Sequence, residues 1–269
     1  MRKTGSESSS SLGTQSIQRA AQLLKLLTAQ NRKGMRLVEL YRKAKLERPT
    51  THRILQGLIA ERLVRQDQTT KRYFLGPMIY EMGLAAAPQF QLRDVCHKHL
   101  VSLAALSADT VFLNIRSGME SVCIDRTEGA FPVKAFVLDV GRRRLLGIGT
   151  GGLAILSALT RKERGRILKT NYPKLVYRYA RFDFEKTNAI LEEGAQKGYV
   201  VSDVVEVPGI RSIGMPITLT DGSPIAAISI SALTTRLDPD RCAELALALR
   251  EAINEIEDEL ATQPLANIG

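Results

Sequence analysis

Residues 48–59, Arg-Pro-Thr-Thr-His-Arg-Ile-Leu-Gln-Gly-Leu-Ile, constrain this chain more than any other stretch, because at 100° per residue they sort into a core face and a polar face. Thr51, Ile54, Leu55, Leu58 and Ile59 gather on the first. Pro49, Arg53, Gln56 and Gly57 point the other way, flanked by Thr50 and His52. Pro49 suits a first helical turn, where its missing N–H would have no partner. Such a helix alone marks only a protein surface, so its surroundings decide what it means.

Those surroundings are charged. Residues 1–80 hold 16 Lys and Arg against 5 Asp and Glu, whereas residues 81–269 hold 22 against 23. The whole net charge of +10 therefore resides in the first third. That is the footprint of a phosphate-binding module joined to a neutral one. At 269 residues and 44 % hydrophobic content the chain suffices for two packed domains. No apolar run approaches the roughly 18 residues that span a bilayer, and no signal-peptide apolar region opens the chain, so a cytoplasmic location without membrane attachment is expected. Cys96, Cys123 and Cys242 are scattered and odd in number, which argues against disulfides and a zinc finger.

Residues 1–15, rich in Ser, Gly and Thr, read as a disordered tail. Ser16 reads as the N-cap of a first helix carrying Ile17, Ala20, Ala21, Leu24 and Leu27. A short second helix fits Leu37–Ala44, and the third opens with Pro49. Residues 63–67 and 72–75 then form a hairpin about a polar turn. A helix-turn-helix followed by a hairpin is a winged helix, whose third helix enters the major groove while Lys71 and Arg72 reach phosphates or the minor groove. The DNA-contacting set is thus Arg48, Pro49, Thr50, His52, Arg53, Gln56, Lys71 and Arg72.

Beyond Gly76-Pro77 a short helix over residues 78–87 precedes one over residues 91–107. Strands are expected at residues 110–116, 121–126 and 132–140, with helices from near Leu153, over residues 161–170 and over Phe184–Lys197. A hairpin turns about Asp221-Gly222, and Asp238-Pro239 caps a last long helix.

Over some 250 positions the chain resembles the IclR family of transcriptional regulators. The N-terminal match comprises Ser16-Ile17-Gln18-Arg19-Ala20, Thr50-x-His52-Arg53 and Tyr73-x-Leu75-Gly76-Pro77. Further on come Val122-Cys123-Ile124-Asp125-Arg126, Gly198-Tyr199, Pro208-Gly209-Ile210-Arg211, Met215-Pro216-Ile217 and Ile228-Ser229-Ile230-Ser231. The resemblance implies an α+β protein: a winged helix-turn-helix over residues 16–76, a linker helix over 77–90, and a GAF-like mixed α/β effector-binding and oligomerisation domain over 91–262. It further implies a dimer or dimer of dimers on a roughly palindromic double-stranded operator, controlled by a small organic acid. Pro49 departs from the small polar residue common at the start of the family's third helix and removes an amide that would hold a phosphate.

The family's effector pocket maps onto Thr150, Gly151, Ser212, Ser229 and Ser231, with an apolar wall at Val133, Phe136 and Ile210. A family carboxylate and a cysteine of some members correspond to Ser202 and Ser212, which makes this pocket less acidic, with Asp203 adjacent. From the residues themselves, Gly147-Ile148-Gly149-Thr150-Gly151-Gly152 entering a helix favours an anion at freed amides; close helix-to-sheet packing is the competing reading. Alternation puts Ser229 and Ser231 on one strand face, to line a cavity or to ease packing. The run Arg142-Arg143-Arg144 reads as a solvated loop ahead of the competing reading, attraction of an anionic effector, and Asp125 and Arg126 read as structural. His97 and His99 point to different helix faces, so no metal or other cofactor is assigned. The alternative is a nucleotide-dependent enzyme with a DNA-binding appendage. Against it stand the missing Gly-x-Ser-x-Gly elbow, the missing metal cluster and three histidines that all precede residue 100.

Overall fold

The computed structural model describes residues 10–31, 33–86, 92–135 and 138–262. The chain divides into two compact units, residues 1–88 and 89–269. In the first unit α1 (Ser10–Thr28), α2 (Leu37–Ala44) and α3 (Arg48–Ala60) precede a two-stranded antiparallel hairpin, β1 (Val64–Gln66) and β2 (Tyr73–Leu75). Leu23, Leu27, Leu40, Leu55, Leu58, Val64 and Tyr73 form one small core, as the 3.6-residue spacing of their helices requires. The first helix begins at Ser10, six residues before the expected cap at Ser16; residues 1–9 of the expected tail lie outside the described residues. The unit ends in α4 (Pro77–Ala86), which buries none of its side chains.

The second unit is built on a six-stranded antiparallel sheet of β3 (Thr110–Ser117), β4 (Glu120–Glu128), β5 (Arg143–Leu145), β6 (Val200–Asp203), β7 (Ile210–Thr218) and β8 (Pro224–Leu233). Its spatial order is β5-β4-β3-β8-β7-β6. Alternation along the strands assigns each face. Val111, Leu113, Ile213, Met215, Ile228 and Ile230 pack against α5 (Leu92–Ser107) and α9 (Pro239–Thr262) in the largest core. The opposite face carries Phe112, Asn114, Ser212, Ser229 and Ser231. It is covered by α6 (Thr150–Ser157), beside which lie α7 (Arg161–Arg178) and α8 (Phe184–Lys197).

Three expectations are corrected. The described part of residues 132–140 holds no strand; the third strand of that meander is β5, paired to β4 with Leu145 opposite Glu120. A charged triplet is accommodated there because Arg143 donates from Nε to Glu120 at 2.9 Å and from Nη2 to Ser117 Oγ at 2.8 Å. Arg143 and Arg144 therefore belong to β5, while Arg142 stays exposed in the loop before it. Finally, α7 runs to Arg178, past Pro173. Proline removes one ladder bond, and the helix is held on both sides of it, by Asn171 Nδ2 donating to the carbonyls of Met119 and Leu146 at 2.9 Å each and by buried Leu175.

Candidate functional site

In the first unit α3 turns Thr51, Leu55 and Leu58 inward, and the Thr51 hydroxyl donates to the Glu47 carbonyl at 3.0 Å. Arg48, Pro49, His52, Arg53 and Gln56 are exposed, and Thr50 is half-buried at their edge. One side of the helix thus presents cations and amide or imidazole donors to solvent. The hairpin tip is tied by Asp67, whose Oδ1 accepts the N–H of Thr70 at 2.7 Å, its hydroxyl at 2.7 Å and the N–H of Thr69 at 3.2 Å. Those bonds hold the Asp67 carboxyl below its usual pKa. Lys71 follows with φ of 55° and an exposed side chain. Arg72 is different: it is half-buried, its Nη1 donates to the Gly34 carbonyl at 2.9 Å, and it stands 3.6 Å from Glu39. Its guanidinium fastens the wing to the loop before α2. Arg65, 4.4 Å over the Phe74 ring, and exposed Arg42 and Lys43 extend the basic surface beyond the residues singled out from the sequence.

In the second unit the N-terminus of α6 lies against the serine-bearing face of the sheet. Gly149 enters the helix at φ of 73°, a conformation that disfavours side chains, and no side chain caps the first turn. A Cβ on Gly151 would stand 2.5 Å from Asn114 Nδ2, so this glycine is there for close helix-to-sheet packing. Thr150, Gly151, Ser212, Ser229 and Ser231 do meet around one small space of about 20 Å³, together with Phe112 and Asn114. Two pairs of hydroxyls meet there: Thr150 Oγ1 lies 2.6 Å from Ser202 Oγ, and Ser212 Oγ lies 2.6 Å from Ser231 Oγ. A second, larger cavity of about 300 Å³ adjoins it, sharing Ile148, Gly149 and Val204 as walls.

Ile210 and Asp203 line the larger cavity rather than the hydroxyl cluster. Strand alternation turns Ser202 inward and leaves Asp203 outward, where its Oδ1 accepts from Arg211 Nε at 2.8 Å. Val133 is 54 % exposed and lines neither cavity, because residues 132–135 run outside the sheet. Phe136 lies outside the described residues. Asp125 is buried beneath α5, 2.8 Å from His97 Nδ1 and 3.5 Å from Arg93, while Arg126 pairs with Glu128 and Asp139; both are structural.

Arg144, which the sequence offers to an anionic effector only as the lesser reading, belongs to this site. It lines the small cavity while only 6 % exposed, with Nη2 2.9 Å from Glu206 Oε2. Burial lowers its pKa and the Glu206 carboxylate opposes the shift. Glu206 sits in the turn between β6 and β7, some sixty residues away, so no local spacing signals the pair. The cysteines are buried and free, and burial pushes the Cys96 and Cys123 thiols up to about 12, far from the thiolate a nucleophile needs. Among the described residues no helix is long and apolar enough to cross a membrane.

Comparison with known proteins agrees with this arrangement. The IclR helix-turn-helix domain model matches residues 16–68, and the model of the bacterial transcriptional regulator IclR C-terminal region matches residues 84–258. The HTH-type transcriptional regulator XynR of Escherichia coli K12 is 25 % identical over 244 residues, spanning 88 % of this chain and 94 % of XynR. The HTH-type transcriptional repressor AllR of Salmonella typhimurium LT2 is 29 % identical over 215 residues, 80 % of this chain and 79 % of AllR. The crystal structure of an IclR homologue from Microbacterium hydrocarbonoxydans complexed with 4-hydroxybenzoate superposes with a TM-score of 0.72 at 20 % identity, covering 92 % of this chain and all of that one. With a basic helix-turn-helix unit leading a ligand-binding α+β unit, and with family models matching most of its length, this chain belongs to the IclR family of DNA-binding transcriptional regulators.

Proposed function

We propose that this regulator binds a roughly palindromic operator as a homo-oligomer, through Arg48, Pro49, Thr50, His52, Arg53, Gln56 and Lys71, with Arg72 holding the wing in place. A small organic acid, aromatic or a short oxo acid, controls that binding from the second unit. The observation that carries the reading is the hydroxyl cluster of Thr150, Ser202, Ser212, Ser229 and Ser231 at the uncapped start of α6, in the electrically neutral part of the chain. Hydroxyls and helix-start amides are hydrogen-bond donors suited to carboxylate oxygens. The space among them is too small for a whole acid, so the body of the ligand extends past Val204 into the larger cavity. The homologue complexed with 4-hydroxybenzoate supports an aromatic member of the class. Oligomerisation is supported by α4, which leaves Tyr80, Met82 and Leu84 exposed on a helix with no fully buried side chain.

Control requires the acid to bind one arrangement of the DNA-reading units better than another. The test is a footprint of the protein on the DNA flanking its own gene, with and without benzoate, 4-hydroxybenzoate, pyruvate and glyoxylate. Protection of a two-part site that one of these acids weakens or strengthens is expected. Protection indifferent to every acid would overturn the acid-effector reading, and no protection at all would overturn the operator assignment.

A further inference from the structure

A guanidinium at the wall of the ligand cavity is an unusual thing to bury. Arg144 is 6 % exposed, and its Nη1 passes so close to Gly149 that a Cβ there would lie 3.1 Å away. Its partner Glu206 keeps a 19 % exposed side chain in the turn between β6 and β7. That turn also carries Val204 and Gly209, which line the larger cavity, and the far side of Glu206 borders a solvent-open recess with Arg142 and Arg178. The carboxylate therefore faces water through this recess, whereas the guanidinium is almost wholly buried. A buried ion pair is weak evidence for stability, since apolar side chains of equal volume would serve as well or better. A pair of this kind at a cavity wall is better explained by what it can exchange.

We infer that Arg144 is the carboxylate receptor of this pocket and that Glu206 is its resident counter-ion, displaced by the incoming acid. The inference rests on the acid-effector reading above and names the group within that site that selects the ligand. The exchange is electrostatically balanced. One carboxylate leaves the guanidinium for water as another arrives, so the buried cation is never left uncompensated, and Glu206 regains its hydration. Arginine presents a planar fork that matches a carboxylate in two-point contact. Neutral amides of the same shape cannot replace Glu206, because they would leave a buried cation unneutralised. The pocket thereby discriminates acids from their isosteric amides. Displacing Glu206 also frees the β6–β7 turn, so ligand charge and the position of this turn are linked.

Two variants of the full-length protein test this, Glu206→Gln and Arg144→Gln, each titrated calorimetrically with benzoate, pyruvate and glyoxylate and with benzamide and pyruvamide. Glu206→Gln removes the competing anion, so the carboxylates are expected to bind at least tenfold tighter while the amides are unchanged. A general loosening of the fold would not produce that selective gain. Arg144→Gln is expected to bind carboxylates at least tenfold more weakly and to lose the preference for acid over amide. Should Arg144→Gln fail to fold, Glu206→Gln decides alone. Carboxylates that bind wild type and Glu206→Gln equally overturn the role of Arg144 while leaving the acid-effector reading intact. If no carboxylate binds any of the proteins, both fall together.

Discussion

Arg53 and Gly57 stand one helical turn apart on the exposed side of α3, and the physics of the two positions predicts different effects on stability with the same effect on DNA binding. The Arg53 side chain is exposed, so Arg53→Ala should leave thermal stability within about 0.5 kcal/mol while weakening operator binding by about 1–3 kcal/mol. A Cβ on Gly57 would meet nothing within 4 Å. In a helix interior such a glycine is disfavoured relative to alanine, so Gly57→Ala should stabilise the protein by about 0.5–1 kcal/mol. If the helix backbone approaches a base or phosphate at this point, the added methyl weakens operator binding despite the gain. Melting curves and fluorescence anisotropy on one operator fragment at fixed salt measure both. A Gly57→Ala protein that is more stable and binds DNA unchanged would move the groove-facing surface away from this turn. At this scale the sequence was informative about α3, because residues on one helix report their own faces through spacing alone. It was less informative about Arg144: three consecutive arginines favour solvent-exposed charge over an anion site, and the Glu206 carboxylate that pairs with the buried one lies some sixty residues further on.

At the scale of the element, the wing depends on one carboxylate. Asp67 collects two amide N–H groups and a hydroxyl from Thr69 and Thr70, and the turn it closes sets Lys71 in a left-handed conformation beyond it. Its pKa in the folded protein lies below the unfolded value near 3.9. The stabilisation is therefore complete above that value and is lost as pH falls through the lower, folded one. The wing is fully held at neutral pH. Asp67→Ala should speed amide hydrogen exchange over residues 68–72 and weaken operator binding, with the melting temperature little changed; unaltered exchange there would mean that the turn is held by its backbone bonds alone. Elements of this kind were largely legible beforehand. The bounds Leu37–Ala44 and Phe184–Lys197 follow from periodicity and flanking polar residues. Where expectation failed, tertiary contacts had overruled local rules: anchoring by Asn171 and Leu175 carries α7 past Pro173, and salt bridging of Arg143 holds two residues of a charged triplet in a strand.

For the whole molecule, the confinement of net charge to the first eighty residues predicts how binding responds to salt. The logarithm of operator affinity should fall linearly with the logarithm of salt concentration, by about 0.9 for each phosphate neutralised. Lys71→Ala at the wing should make that slope shallower by about 1. Lys169→Ala, an equally exposed charge in the second unit, should leave it unchanged. Equal effects of the two would show that the charge asymmetry has no part in DNA recognition. That asymmetry, the faces of the helices and the alternation of Ile228, Ser229, Ile230 and Ser231 were settled by the sequence by itself, because each is a property of neighbours along the chain. Only the tertiary structure decided that Ser202 and Thr150 meet, that Asp203 and Val133 face away from the hydroxyl cluster, and that Arg144 is buried against Glu206. Those are juxtapositions of distant segments, fixed by strand order and by how closely α6 can approach the sheet, and no spacing along the chain encodes them.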